Sequence, residues 1–310
     1  MNQTSKPQRR PQGATSTNFG VTSMFDPLKR VVMRRPGAML TADPQRWHYA
    51  KPLNPDRLNA QYQNFAHLVE TAGAEIVWVD DGPAPDDGLA DSVFTYDPSF
   101  VIGDGAIVLR PGKDLRLGEA PLHTDVYRKT GVPILGQIDG PGVAEGGDMF
   151  WLDETTLAVG RGFRTNQHGI DQLTEIVGSH GVELFVVDLP YFNGPEACLH
   201  LLSVISPLDR DLALVHAPLL PTALYQRLTD MGVELLMAPV EEFEASSGLN
   251  LNVLATGPRQ CIAIQGFDGT VELMRAAGCD VVTFEADELC IPCEGGPTCL
   301  TRPLLRESRF

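Results

Sequence analysis

The chain has 310 residues and a mass of 33.7 kDa, with 43% hydrophobic and 21% charged residues, the proportions of a globular chain of one or two domains rather than a disordered, collagen-like or disulfide-scaffold one. Forty acids against 24 bases leave a net charge of −16, which repels phosphate backbones and anionic headgroups and sets nucleic acid and membrane surfaces aside as partners. No apolar run reaches the roughly 18 residues of a membrane helix, no signal-like stretch opens the chain, and four of the six cysteines crowd between Cys279 and Cys299, so reduced thiols and a cytoplasmic location are expected.

In chain order, residues 1–20 are rich in Gln, Ser, Thr, Pro and basic side chains and read as a disordered tail ahead of a single domain over 21–310. Five stretches with helical apolar spacing then end at a Gly that leads into an apolar run: Gly73-Ala74-Glu75, Gly131-Val132-Pro133, Gly181-Val182-Glu183, Gly232-Val233-Glu234 and Gly278-Cys279-Asp280. Their spacings of 58, 50, 51 and 46 residues mark a repeat. A Gly just past a helix takes the left-handed conformation that reverses the chain, and the run after it reads as a strand buried on the core. Each unit also holds a turn cluster followed by an apolar strand, from Phe25, Ile102, Leu152, Pro207 and Ala255 onward. Each unit is therefore expected to be a hairpin, a helix and a final strand, and the whole an α/β domain of pseudo-fivefold symmetry.

Equivalent positions of such units converge, so polar residues at the strand opening each hairpin are candidates for chemistry. Asp97, Glu145 and His200 follow one another at 48 and 55 residues, close to the repeat. After the last unit, Glu294-Gly295-Gly296-Pro297-Thr298-Cys299 is a glycine-rich turn able to carry a thiol into the same cavity. Cysteine, histidine and acid together suit covalent catalysis: a thiolate attacks an electrophilic carbon, an imidazole moves protons, and a carboxylate orients the imidazole or a cationic substrate.

Asp91-Ser92-Val93-Phe94 before Asp97, Glu145-Gly146-Gly147-Asp148, Arg164-Thr165-Asn166, Leu199-His200-Leu201 and Gly295-Gly296-Pro297-Thr298-Cys299 together resemble the guanidino-group-modifying enzymes. These comprise arginine deiminases, dimethylarginine dimethylaminohydrolases and amidinotransferases, and the resemblance implies their five-bladed α/β-propeller, the pentein fold. It implies that Cys299 is the nucleophile on the guanidino carbon, that His200 transfers protons, and that Asp97 and Glu145 hold the guanidinium. Arg116 and Arg164 would grip the substrate carboxylate, with Asp91, Phe94 and Asp148 at the pocket. Tyr96 stands where dimethylarginine hydrolases carry an acid. Leu202 stands where deiminases place an aspartate beside the guanidinium, and an apolar residue there favours a methylated substrate.

The expected activity is hydrolysis of N-methylated arginine to citrulline and an alkylamine, without a cofactor, on a small guanidino substrate. Arginine deiminase or dihydrolase action, amidino transfer, and a non-enzymatic ribosome-binding module on the same scaffold are the alternatives, and a homodimer stays open. Cys290-Ile291-Pro292-Cys293 has the gap of a zinc or redox pair, but no second pair completes a metal site, so no metal is expected. A regulatory disulfide from Cys290 or Cys293 to the nucleophile is a further alternative.

Overall fold

A computed structural model describes residues 18–195, 197 and 199–307. Residues 1–17 of the expected tail lie outside these, whereas Gly20 bridges Leu305. The described chain forms five three-stranded sheets with helices packed against them. The second sheet is β3 (Ser99–Ile102), β4 (Gly105–Val108) and β5 (Ile134–Gln137); the third is β6 (Met149–Trp151), β7 (Thr156–Arg161) and β8 (Glu183–Asp188). The fourth holds β9 (Ile205–Asp209), β10 (Leu212–Val215) and β11 (Glu234–Met237), and the fifth β12 (Leu254–Gly257), β13 (Gln260–Ile264) and β14 (Asp280–Phe284). In each, the first two strands are an antiparallel hairpin and the third returns parallel to the middle one.

The first sheet departs from the expected local hairpin. Its β1 (Leu28–Met33) pairs parallel with β2 (Glu75–Trp78), but its antiparallel partner is β15 (Arg302–Arg306), supplied by the far end of the chain. Pairing the two ends in one sheet anchors the turn that carries Cys299 directly against the start of the fold.

The repeat Gly residues behave as expected: Gly73, Gly131, Gly181, Gly232 and Gly278 have φ of 95°, 74°, 73°, 77° and 87°. The strands after them are less buried than the sequence suggests. The middle strands β4 and β10 and the opening strands β3, β6 and β12 are buried throughout, while β2, β5 and β11, at the opposite edge of their sheets, hold mostly exposed or half-buried residues. The helix α2 (Pro55–Thr71) illustrates the covering layer. Asn54 caps it by accepting from the Arg57 amide, Pro55 opens it, and Leu58, Tyr62, Phe65 and Val69 recur at helical spacing to bury one face. No described helix is long and apolar enough to cross a membrane.

Candidate active site

Each sheet contributes one polar residue just ahead of its opening strand. Asp97 precedes β3 by two residues, Glu145 precedes β6 by four, His200 precedes β9 by five, Asn252 precedes β12 by two, and Cys299 precedes β15 by three. Short 3-10 turns set several of them: Glu145 leads into Gly146–Asp148, and His200 into Leu201–Ser203, where the His200 amide donates to Ser203 Oγ at 3.0 Å.

Asp97, His200 and Cys299 border one cavity of about 510 Å³, together with Asp91, Phe94, Arg116 and Arg164. Ligand atoms of Asp97, Glu145 and His200 all lie within 4.8 Å of one another. Two glycines permit this approach. A Cβ on Gly147 would sit 2.5 Å from His200 Nδ1, and one on Gly295 would collide with the Phe94 ring.

Glu145 lies behind His200 rather than on the cavity. One carboxylate oxygen is 2.6 Å from His200 Nε2, the other accepts the Gly112 amide at 2.8 Å, and Arg164 Nη1 stands 3.5 Å away. Thr165 Oγ1 accepts the Glu145 amide at 3.2 Å. Burial opposes the charge of Glu145, but the hydrogen bond and charge of His200, with Arg164, outweigh it and hold the carboxyl below its usual range. Of the two duties the sequence left open to a carboxylate, orienting the imidazole or holding a cationic substrate, this geometry suits Glu145 to the first.

Asp97 faces the cavity, with Oδ2 accepting from Arg116 Nη1 at 2.7 Å and Oδ1 from the Gly147 amide at 3.0 Å. Arg116 borders the same cavity. Its Nε and Nη2 form a fork on Glu119, both at 2.9 Å, and Nη2 also donates to the Phe94 carbonyl. With Nη1 on Asp97, four of its five N–H groups are engaged within the protein. Arg164 borders the cavity as expected, as do Asp91 and Phe94.

Asp148 is buried away from the cavity lining and accepts the Leu201 amide at 3.0 Å, which fixes the turn carrying His200. Burial pushes its carboxyl up to about 6. Leu202 likewise does not line this cavity: the 3-10 turn after His200 directs it to a separate small cavity shared with Tyr96 and Arg306. Tyr96 itself is buried, with the Arg302 guanidinium 3.7 Å from its ring centre.

The Cys299 thiol is pushed up to about 11 by burial first and by the Asp97 charge second, against the Gly296 amide, Asn252 and His200. Asn252 is a functional candidate that sequence reasoning missed. Its Nδ2 donates to Cys299 Sγ at 3.0 Å and its Oδ1 accepts the Thr298 amide at 2.9 Å, so one side chain holds both the sulfur and its turn. It lies 52 residues after His200, so the repeat itself carried the signal. Lys113 and Trp47, also on the cavity, were missed as well.

Donor atoms of Asp97, Glu145 and His200 lie within 4.8 Å of one another, and the carboxylate oxygens already serve Arg116, His200 and Arg164. Of the Cys290–Cys293 pair, Cys290 is fully buried and Cys293 borders the cavity.

The profile of the arginine deiminase family matches residues 86–234, which include Asp91 to His200 but stop short of Cys299. An N(G),N(G)-dimethylarginine dimethylaminohydrolase of Pseudomonas aeruginosa is 24% identical over 273 residues, covering 88% of this chain and 98% of that one. A mutant of the Pseudomonas aeruginosa dimethylarginine hydrolase, solved in complex with citrulline, superposes with a TM-score of 0.68 at 22% identity, covering 89% of this chain and 99% of that one. An amidinotransferase of saxitoxin biosynthesis from Microseira wollei gives 0.75 at 17% identity, covering 94% and 99%.

Proposed function

We propose, from the chain's place in the pentein superfamily of guanidino-group-modifying enzymes near the dimethylarginine hydrolases and arginine deiminases, that it hydrolyses the guanidino group of an arginine derivative through a covalent bond to Cys299. The five sheets are then blades of one closed ring and residues 21–310 one catalytic domain. The observation that carries the reading is the meeting of Cys299, His200 and Asp97 in one cavity, with Glu145 fixed on His200 Nε2 at 2.6 Å.

The free thiol is protonated at neutral pH. A guanidinium against Asp97 neutralises the charge that raises the thiol and brings a positive group beside the sulfur, so substrate binding itself favours the thiolate. Asn252 Nδ2 donates to the sulfur as its charge develops. The Cys299 proton passes to His200 Nδ1 as the thiolate adds to the guanidino carbon. His200, whose Nε2 proton is directed at Glu145, uses Nδ1 to protonate the departing amine, which leaves a thiouronium on Cys299. The same nitrogen then takes a proton from the attacking water, and collapse expels the sulfur and releases a ureido product. One water is consumed and one amine released.

N-methylated arginine is the first choice of substrate. Leu202 does not supply the reason. The support is that Asp148 is drawn back under the Leu201 amide and that the apolar Phe94 borders the cavity shared by Asp97, His200 and Cys299. A methylated nitrogen there strands no acceptor, which avoids a penalty of about 1–3 kcal/mol. Plain arginine is the second reading, favoured by the deiminase profile across Asp91 to His200. Comparing kcat/KM for arginine, monomethylarginine and asymmetric dimethylarginine tests the choice: a preference for the methylated forms supports the first reading, and a preference for arginine replaces it with the second.

A further inference from the structure

We infer that Arg306 holds a small monovalent anion of the halide class in the second, smaller cavity, a binding site distinct from the reaction cavity. Arg302 and Arg306 both lie on β15 and are buried, at 2% and 6% exposure. A buried charge needs partners, and among the described residues no carboxylate forms an ion pair with either arginine. Arg302 is compensated in another way, with its guanidinium 3.7 Å from the Tyr96 ring centre and 4.9 Å from that of Phe100. Arg306 donates to two carbonyls, of Asp26 at 2.5 Å and of Ala255 at 2.8 Å, and among the described residues its Nε meets no acceptor. Asp26 gives Arg306 that carbonyl, while its carboxylate acts through space. Burial pushes the Arg306 guanidinium down to about 10, so it keeps its charge at neutral pH.

Arg306 borders a cavity of about 20 Å³, which is room for one particle of about the size of a water molecule. Tyr96 borders it too, and its hydroxyl reaches the Met24 sulfur at 3.9 Å, a weak acceptor, so a guanidinium and a phenolic O–H are both on offer. Leu202, Val253 and Leu254 make much of the remaining wall apolar. The volume is too small for an oxyanion such as phosphate or acetate, and Arg306 repels a cation. A water would satisfy Nε and leave the buried charge uncompensated, whereas a chloride-sized anion does both. Three loops of the reaction site also meet here: Tyr96 directly precedes Asp97, Leu202 follows His200 by two residues, and Thr298 directly precedes Cys299. An anion on Arg306 and Tyr96 therefore stabilises the ground on which those loops rest.

Two measurements on the full chain test the site, and neither uses turnover, so their outcome is independent of the proposed hydrolysis. Crystals soaked in sodium bromide should show an anomalous peak beside Arg306 and the Tyr96 hydroxyl. In solution, exchanging sodium gluconate, whose anion is too large for the cavity, for sodium chloride at constant ionic strength should raise the melting temperature saturably, by about 2–5 °C at ten times the dissociation constant. Arg306→Met removes the charge and should abolish both the peak and the rise. Should that variant not fold, the bromide soak and the chloride titration of the unsubstituted protein still decide. A cavity that holds only water in the soaked crystal, or a melting temperature that chloride and gluconate raise equally or that climbs linearly with chloride, overturns the site. A peak that persists in Arg306→Met, or one without a saturable rise, marks an adventitious ion only and overturns it as well.

Discussion

Two buried histidines of this molecule sit in polar clusters of similar make-up and differ in what they can do. His123, on α3 (Glu119–Thr130), has Nδ1 at 2.8 Å from Ser99 Oγ, which in turn lies 2.5 Å from the Tyr127 hydroxyl. Burial pushes that imidazole down to about 3, so it stays neutral inside the core. His200 has a carboxylate on Nε2 instead of a hydroxyl, and it borders a cavity with a thiol. A histidine, a hydroxyl and a phenol sealed from solvent tie a helix to a strand. The same ring with an ionised partner and an open side is equipped to exchange protons with a ligand.

Substitutions can break or sharpen that contrast. The largest effect is expected at the thiol: Cys299→Ser should lower steady-state turnover by about 10³-fold or more with the melting curve retained, measured by ureido product formation. Next, His200→Gly should lose about 10²- to 10⁴-fold in kcat, with part of the loss restored by added imidazole. Full activity in either variant would remove the distinction between the two histidines.

A smaller effect is expected at Asn252. Its replacement by Ala removes one N–H donor from the sulfur, so the pH at which iodoacetamide labelling of Cys299 reaches half its maximum should move up by about one to two units, for a hydrogen bond to a charged group of about 1.5–3 kcal/mol. In the unsubstituted protein that labelling should be slow at pH 7 and climb toward pH 11, because the free thiol is raised; a bound guanidinium should move the rise to lower pH. A labelling rate already on its plateau at neutral pH would contradict the raised thiol. Smallest for activity is His123→Ala, expected to cost about 1–3 kcal/mol of stability by leaving Ser99 and Tyr127 with a lost partner, while kcat is unaffected.

The contrast also explains what was legible in the sequence. Asp97, Glu145 and His200 were candidates because equivalent positions of a repeat converge, and Cys299 because it follows a glycine-rich turn, whose two glycines lie against Phe94 and Asn252. Asn252 obeys the same spacing but is neither acid nor base, so a search for titratable groups passed over it. The first sheet was misjudged because β1 and β15 are separated by most of the chain, and local turn chemistry says nothing about such a partner. Contacts differ from what spacing suggests where a few residues of 3-10 turn redirect a side chain, as at Leu202, or where an acid three positions on pairs with an arginine, as Glu119 does with Arg116. Spacing places a residue near a site, and only the local turn and its neighbours decide what the side chain faces.

The central claim is a bond between Cys299 and the guanidino carbon, and mass spectrometry of protein quenched with acid during turnover tests it most directly. Because the amine departs before the thiouronium is hydrolysed, arginine and its N-methylated derivatives should leave an adduct of the same mass, and peptide mapping should place it on Cys299. Adducts that differ in mass by the methyl groups, an adduct on Cys293, or turnover with no protein-bound intermediate in any quench would contradict the account.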